Sequence, residues 1–254
     1  MPAGAHGARA GLKLGRMQPP TRQLLPADAA VVDSAIISRH STRRFLATPV
    51  PRALIEDILR IASRAPSGTN TQPWQVHVLL GAAKKRLSQC IVSAYDDPRQ
   101  AMQYSEEYAY YPRHWVSPYL ERRRKLGWDL YGLLGIQKGD RPAMHAQHRR
   151  NFLFFDAPVG LIFTIERCIE LGSWLDYGMF LQNIMIAARA RGLDTCPQAA
   201  FTQFHRIIEQ ELGLSDRQQV VCGMSLGHAD PTAVENSLVS ERAPVAEFAR
   251  FYET

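Results

Sequence analysis

Four short stretches of this 254-residue chain gather side chains suited to gripping or facing a ligand. The first is Arg39-His40-Ser41-Thr42-Arg43-Arg44. Its guanidiniums flank the Ser41 hydroxyl, which is equipment for holding a phosphate through bidentate, charge-assisted hydrogen bonds. Taken alone, such a basic cluster is more often solvated surface. The second is Pro66-Ser67-Gly68-Thr69-Asn70-Thr71-Gln72-Pro73-Trp74, where glycine and small polar residues let backbone approach a ligand and supply hydroxyl and amide donors. A plain connection is the ordinary alternative. The third, residues 192–200, ends in Cys196-Pro197-Gln198-Ala199-Ala200, with little side chain to cover its backbone N–H groups. The fourth, residues 237–244, is a late loop carrying Ser240 and Arg242. No stretch resembles a hydrolytic triad or a metal-ligand cluster, so no catalytic acid, base or metal ligand is assigned.

The elements that must position these stretches follow from periodicity and breakers. Val31, Val32, Ala35 and Ile36 stand at helical spacing after Asp28. Leu54, Ile55, Ile58, Leu59 and Ala62 form one stripe behind Pro51, and Pro66 closes that segment. Residues 74–80 read as a strand, 82–95 as a helix, 157–165 as a strand and 173–191 as a helix stopped by Gly192. This last helix is apolar around most of its circumference, which predicts burial on all sides. A helix over 204–212 stops at Gly213, a strand spans 219–226, and a loop covers 231–244. Val245, Phe248 and Tyr252 then give the tail an apolar face. Residues 96–150 break the rhythm: aromatic and arginine side chains alternate without a clean period, as in an inserted lid of short helices. Strands separated by long helices predict an α+β or α/β chain with a small central sheet.

Composition bounds the remaining choices. A hydrophobic content of 46% with 21% charged residues is globular. Of the net charge of +6, residues 1–27 hold +4 (Arg9, Lys13, Arg16, Arg22), leaving +2 for the other 227 residues. The body is nearly neutral, and nucleic-acid binding is not implied. The longest apolar run, 157–165, is strand-sized, so no membrane span is expected. Cys90, Cys168, Cys196 and Cys222 form no C-x-x-C pair, which argues against zinc and disulfides and for a reducing cytoplasm. The arm over residues 1–27 lacks a signal-peptide h-region and reads as flexible, with Met17 an alternative start.

Taken in order, R-x-S-x-R at Arg39–Arg43, P-S-x-x-N-x-Q-P-W at 66–74, a buried helix running into G-L-x-x-x-P at 192–197, and Arg242 before Ala243-Pro244 resemble the nitroreductase family. The resemblance spans about residues 29–254, and the insertion is most similar to the branch containing nitrobenzoate-type reductases. It implies an α+β nitroreductase-like fold with a small, mostly antiparallel sheet flanked by helices. Residues 28–254 would form one domain with a helical lid at about 96–150, and a homodimer would bind FMN at its interface. Arg39 and Ser41, flanked by His40, would meet the phosphate, Arg43 the pyrimidine edge of the flavin, and Arg242 the phosphate from the C-terminal loop. Pro66, Ser67, Gly68 and Asn70 would reach the flavin of the partner subunit. Pro197, Gln198 and Ala199 would place backbone N–H at flavin N5. Ser240 stands where many members carry Lys. The family's mid-chain Asn has no match in the divergent insertion.

The resemblance further implies hydride transfer from NADH or NADPH through FMN to nitroaromatic or quinone-like acceptors in ping-pong fashion. The flavin supplies the redox chemistry, and the protein supplies orientation and electrostatics. Tyr111 and Trp115 are the aromatic candidates for covering a flat acceptor, and Arg122, Arg123 and Arg124 for holding a carboxylate or nucleotide phosphate. Two other readings share the scaffold. One is a reductive dehalogenase using Glu107, Tyr111 and Lys125 to hold an amino-acid zwitterion; the other is a flavin-binding protein without turnover. No G-x-G-x-x-G marks a separate nucleotide domain.

Overall fold

The computed structural model describes residues 25–253. The basic arm and Met17 lie outside the described residues, apart from the arm's last three positions. Helix α1 (Pro26–Ser38) starts earlier than expected, because Pro26 occupies its first turn. Asp28 does not open the helix but accepts the Leu25 backbone N–H at 2.8 Å from inside the first turn.

Helix α2 (Arg52–Ala62) buries Ile55, Ile58 and Ala62, the stripe expected of it. Strand β1 (Gln75–Leu80) leads into α3 (Gly81–Asp96). Short α4 (Pro98–Ala101), α5 (Tyr119–Leu133) and α6 (Arg141–Arg149) build the insertion. Strand β2 (Val159–Glu166), α7 (Leu171–Arg189), β3 (Asp194–Gln198), α8 (His205–Leu212), β4 (Gln218–Gly227) and a last turn, α9 (Val245–Phe248), complete the order.

The four strands form one sheet in the order β1-β2-β4-β3, and each neighbouring pair is antiparallel. Strand β2 is central and buried on both faces. Leu161, Phe163 and Ile165 pack toward α2 and α7, while Ile162 packs toward α3, α8 and the phenylalanines of 152–155. Gly160 and Gly223 admit rings pressed onto the sheet: a Cβ at Gly160 would stand 2.7 Å from Phe154, and one at Gly223 2.3 Å from Phe201.

Both glycine stops act as read. Gly192 (φ 71°) and Gly213 (φ 62°) take left-handed backbone, and the next residues, Leu193 and Leu214, donate back to Ala188 and Glu209 at 3.0 and 2.9 Å. Residues 194–198, to which the sequence assigned no element, form an edge strand, because pairing with β4 satisfies a backbone whose side chains carry no strand periodicity. One expectation fails. Helix α7 is not buried all round in the single chain: Tyr177, Phe180 and Ile184 face the core, while Leu171 and Leu175 are exposed. Its apolar circumference exceeds what one sheet can cover.

Candidate functional site

The Arg39–Arg44 segment lies along the free edge of β3. Ser41 bridges Thr195 in parallel fashion, and Thr42 donates its N–H to the Thr195 carbonyl at 3.1 Å. Farther along, Leu46 donates to His228 at 2.9 Å, and Asp230 donates back to Arg44 at 3.0 Å. Asn236, which the sequence reading passed over, pins the turn. Its Oδ1 accepts the N–H groups of Arg43 and Arg44 at 2.8 and 3.2 Å, and its Nδ2 donates to the Arg44 and Asp230 carbonyls.

A second brace holds the start of the segment. Arg189 on α7 donates to Ser38 Oγ at 2.9 Å and to buried Asp194 Oδ1 at 2.7 Å. The end of α1, the C-terminal part of α7 and the first residue of β3 thus meet one residue before Arg39.

Two clefts meet at Ser41 and Arg43, which line both. The first, about 630 Å³, lies between the end of α1, the Arg39–Arg43 segment and the 238–242 loop. Arg39, Arg43 and Arg242 line it, and among the described residues no carboxylate does. Burial, and then the neighbouring Arg242 charge, push the Arg39 guanidinium below its usual range. Like charges brought together without an acid favour an anion, which would relieve their repulsion. Arg242 Nη1 donates to Ser240 Oγ at 2.7 Å and to the Ser240 carbonyl at 3.0 Å, which curls the loop around its own guanidinium. His40 lines the same cleft and is held by Ser38 and Thr42.

The second cleft, about 350 Å³, has Pro197, Gln198 and Ala199 on one wall and the lid residues Tyr110, Tyr111 and Tyr131 on another. The Gln198 side chain is turned inward. Its Oε1 accepts from Ser225 Oγ at 2.6 Å, and its Nε2 donates to the Asn151 carbonyl at 2.7 Å. What this wall presents is therefore backbone fixed from below. Cys196 also lines it, but burial pushes its thiol up to about 11 against the opposing influence of Arg43, so it is no thiolate at neutral pH. Asn151, too, was missed by the sequence reading; it follows a run of lid residues that gives no signal of where the chain re-enters the core.

The inserted segment is anchored at its start. Glu107, nearly buried, pairs with Arg167 and accepts the Val220 N–H at 3.2 Å. Tyr108 bonds to the Val221 carbonyl and packs edge-on against Trp174 with ring centres 4.6 Å apart. From residue 95 to 151 no side chain is fully buried.

Of the lid candidates, only Tyr111 lines the second cleft. Trp115 stands behind it, 5.6 Å ring to ring, under the Arg123 guanidinium at 4.8 Å. Arg122 turns to Glu247 at 3.3 Å, and Arg123 and Arg124 face a separate outer groove. Arginines consecutive along α5 point in different directions at the helical pitch, so they cannot converge on one ligand. The zwitterion clamp is not assembled either. Glu107 is spent on Arg167, and Lys125 pairs with Asp129 at 2.8 Å and Glu241 at 3.4 Å. Pro66, Ser67, Gly68 and Asn70 line neither cleft of their own chain. Their loop is fixed by Gln72 N–H to Ser67 Oγ at 3.0 Å and Gly68 N–H to Asp176 at 3.1 Å.

The family model described as the nitroreductase family matches residues 36–228, and the chain belongs to that family. It is 46% identical over 219 residues to a 4-nitrobenzoate reductase of Pseudomonas putida, covering 86% of this chain and 94% of the relative. It is 42% identical over 220 residues to a chloronitrobenzene nitroreductase of Comamonas testosteroni, covering 87% and 96%. Among solved structures it resembles the FMN and NADPH-dependent nitroreductase NfnB from Sphigopyxis sp. strain HMH. The TM-score is 0.83 at 35% identity, over 88% of this chain and 99% of that one. The fold class is thereby that of the nitroreductases, α+β with a small antiparallel sheet.

Proposed function

We propose that this chain is an FMN-containing, NAD(P)H-dependent nitroreductase acting on flat nitroaromatic or quinone-like acceptors. The observation that carries the reading is the acid-free cleft of Arg39, Arg43 and Arg242, joined through Ser41 and Arg43 to the tyrosine-roofed cleft over Gln198 and Ala199. The names of its relatives point to the same chemistry.

When bound, FMN supplies the hydride chemistry, taking two electrons from NAD(P)H and passing them on. Arg39, Ser41 and Arg242 would hold its phosphate, with His40 and Ser240 beside them. Arg43 would lie at the pyrimidine edge, where its positive charge would stabilise negative charge. The backbone of Gln198 and Ala199, after Pro197, would offer its N–H groups to the flavin. Ser225 and Asn151 keep that backbone in register through the Gln198 side chain. Tyr110, Tyr111 and Tyr131 exclude water and cover a flat acceptor. NAD(P)H and acceptor use this space in turn, the ping-pong order. One turn converts NAD(P)H, a proton and a nitroarene into NAD(P)⁺, a nitrosoarene and water.

The working unit is a homodimer. Exposed Val31 and Ile37 on α1 and Leu171 and Leu175 on α7 are the apolar surface such a contact would cover. The flavin would then also meet the partner subunit's Pro66, Ser67, Gly68 and Asn70. Residues 28–254 act as one domain with the lid at about 96–150. No described helix is long and apolar enough to cross a membrane, and four free cysteines suit a reducing cytoplasm.

Anaerobic titration of the purified protein tests this. One FMN per subunit, bleached by NADPH and restored by nitrobenzene, is expected; a colourless protein that takes up no added FMN overturns it.

A further inference from the structure

Glu106 lines the cleft that holds Arg43, Tyr110 and Tyr111, and it forms no hydrogen bond or ion pair among the described residues. It differs in this from its neighbour Glu107, which is consumed by Arg167 and the Val220 N–H. The rest of the lining offers no compensating cation except Arg43. Gln147, Asn151, Gln203 and the tyrosines are neutral. His148 is kept below its usual range by burial and then by His145, so its ring is neutral at pH 7.

The cations that surround the cleft are turned away from it or engaged elsewhere. Arg149 pairs with Asp96 at 2.8 Å, and Arg150 pairs with Glu235 at 2.6 Å. Arg206 donates to the Gln103 carbonyl at 3.0 Å. Arg123 lies over the outer rings of Trp115 and Tyr111, on the side of the separate groove. With Arg43 committed to the cofactor, as proposed above, an acceptor entering the cleft meets one formal charge, and that charge is negative.

We infer that this cleft takes uncharged and cationic nitroaromatics in preference to carboxylate-bearing ones, and that Glu106 sets the preference. The inference rests on the proposed function. It separates this chain's substrate class from that in the name of its 46%-identical relative, a 4-nitrobenzoate reductase. Glu106 is exposed at the mouth of the cleft, so a carboxylate entering beside it meets like charge, whereas an ammonium group meets a partner that no other described residue occupies.

The test uses the full-length, FMN-loaded enzyme with 4-nitrobenzylammonium, 4-nitrobenzyl alcohol and 4-nitrophenylacetate. In all three a methylene separates the varied group from the ring, and what difference in nitro reactivity remains is common to parent and variants, so the change in their ratio on substitution reads Glu106. At low salt, kcat/KM is expected to fall in that order, with about a tenfold ratio of the ammonium to the acetate substrate that shrinks as salt rises. Glu106→Gln should bring the ratio toward one, and Glu106→Lys should invert it. Arg123→Gln should leave the ratio as it stands in the parent. An acetate substrate used as well as the ammonium one, or a ratio indifferent to both Glu106 variants, overturns the inference while leaving a working flavin nitroreductase. Failure to bind FMN or to reduce any nitroarene overturns the proposed function and this inference with it.

Discussion

Asn236 Oδ1 accepts the backbone N–H of Arg43 at 2.8 Å, joining the C-terminal loop to a turn near the start of the chain. The same oxygen accepts the Arg44 N–H, and Nδ2 donates to the Arg44 and Asp230 carbonyls, so one side chain sets the direction in which Arg43 leaves the sheet edge. Asn236→Ala should lower stability by about 1–3 kcal/mol, because several backbone groups lose their partner. It should also weaken FMN binding although Asn236 lines neither cleft. Thermal unfolding and flavin fluorescence titration measure the two; unchanged FMN affinity in a folded variant would remove Asn236 from the site's support.

Arg39 and Arg242 share the acid-free cleft. Each changed to Ala should weaken FMN binding by about 1–3 kcal/mol if a charge-assisted bond to the phosphate is lost. Riboflavin, without the phosphate, should bind parent and variants alike. Equal loss of both ligands would show that these arginines do not read the phosphate.

The outer arginines of α5 should behave differently. Arg122 is exposed and, among the described residues, pairs with exposed Glu247, an arrangement worth at most about 1 kcal/mol. Arg122→Gln and Arg124→Gln should therefore keep kcat/KM within about twofold for charged and neutral acceptors. A loss confined to carboxylate substrates would return these side chains to the substrate path.

Docking of α6 onto α3 should depend on pH. Burial acts to raise Asp96, but hydrogen bonds from Arg149 and His145 win and hold it below the usual carboxylate range. Burial and His145 hold His148 below its usual range. Both folded values lie below the unfolded ones, so both contributions are complete above the unfolded pKa. The His148 share is lost as pH falls from about 6.5 toward its lowered value, and the Asp96 share as pH falls from about 3.9 toward its own. Hydrogen-exchange protection factors across residues 141–149, corrected for the intrinsic pH dependence of exchange, should fall in those two windows. Protection indifferent to pH from 7 to 5 would sink the His148 part.

Gly223→Ala should destabilise the fold, since its Cβ would fall 2.3 Å from the Phe201 ring. That ring is fully buried and stacked on Phe154 at 4.6 Å, so it has nowhere to retreat. Overpacking of this kind costs about 1–3 kcal/mol, read from denaturant unfolding.

Much of the architecture was legible along the chain because it is local. The Leu54–Ala62 stripe, the glycine stops at 192 and 213 and the apolar run that became β2 depend on neighbours a few residues away. The motifs around Arg39–Arg43 and Gln198–Ala199 were legible for a different reason: residue type and order carried the family resemblance. What only the tertiary structure decided is everything set by contacts distant in sequence. Residues 194–198 became a strand because β4 offered an edge, not because their side chains alternate. Arg122, Arg123 and Arg124 diverge because a helix turns successive side chains to different faces, and Glu107 was drawn to Arg167 rather than to a ligand. Asn236, Arg189 and Asn151 gave no local signal, since their partners lie 5 to 193 residues away and exist only once the sheet has closed. Periodicity encodes which face is buried, whereas a hydrogen bond between distant loops is encoded nowhere until the chain brings them together.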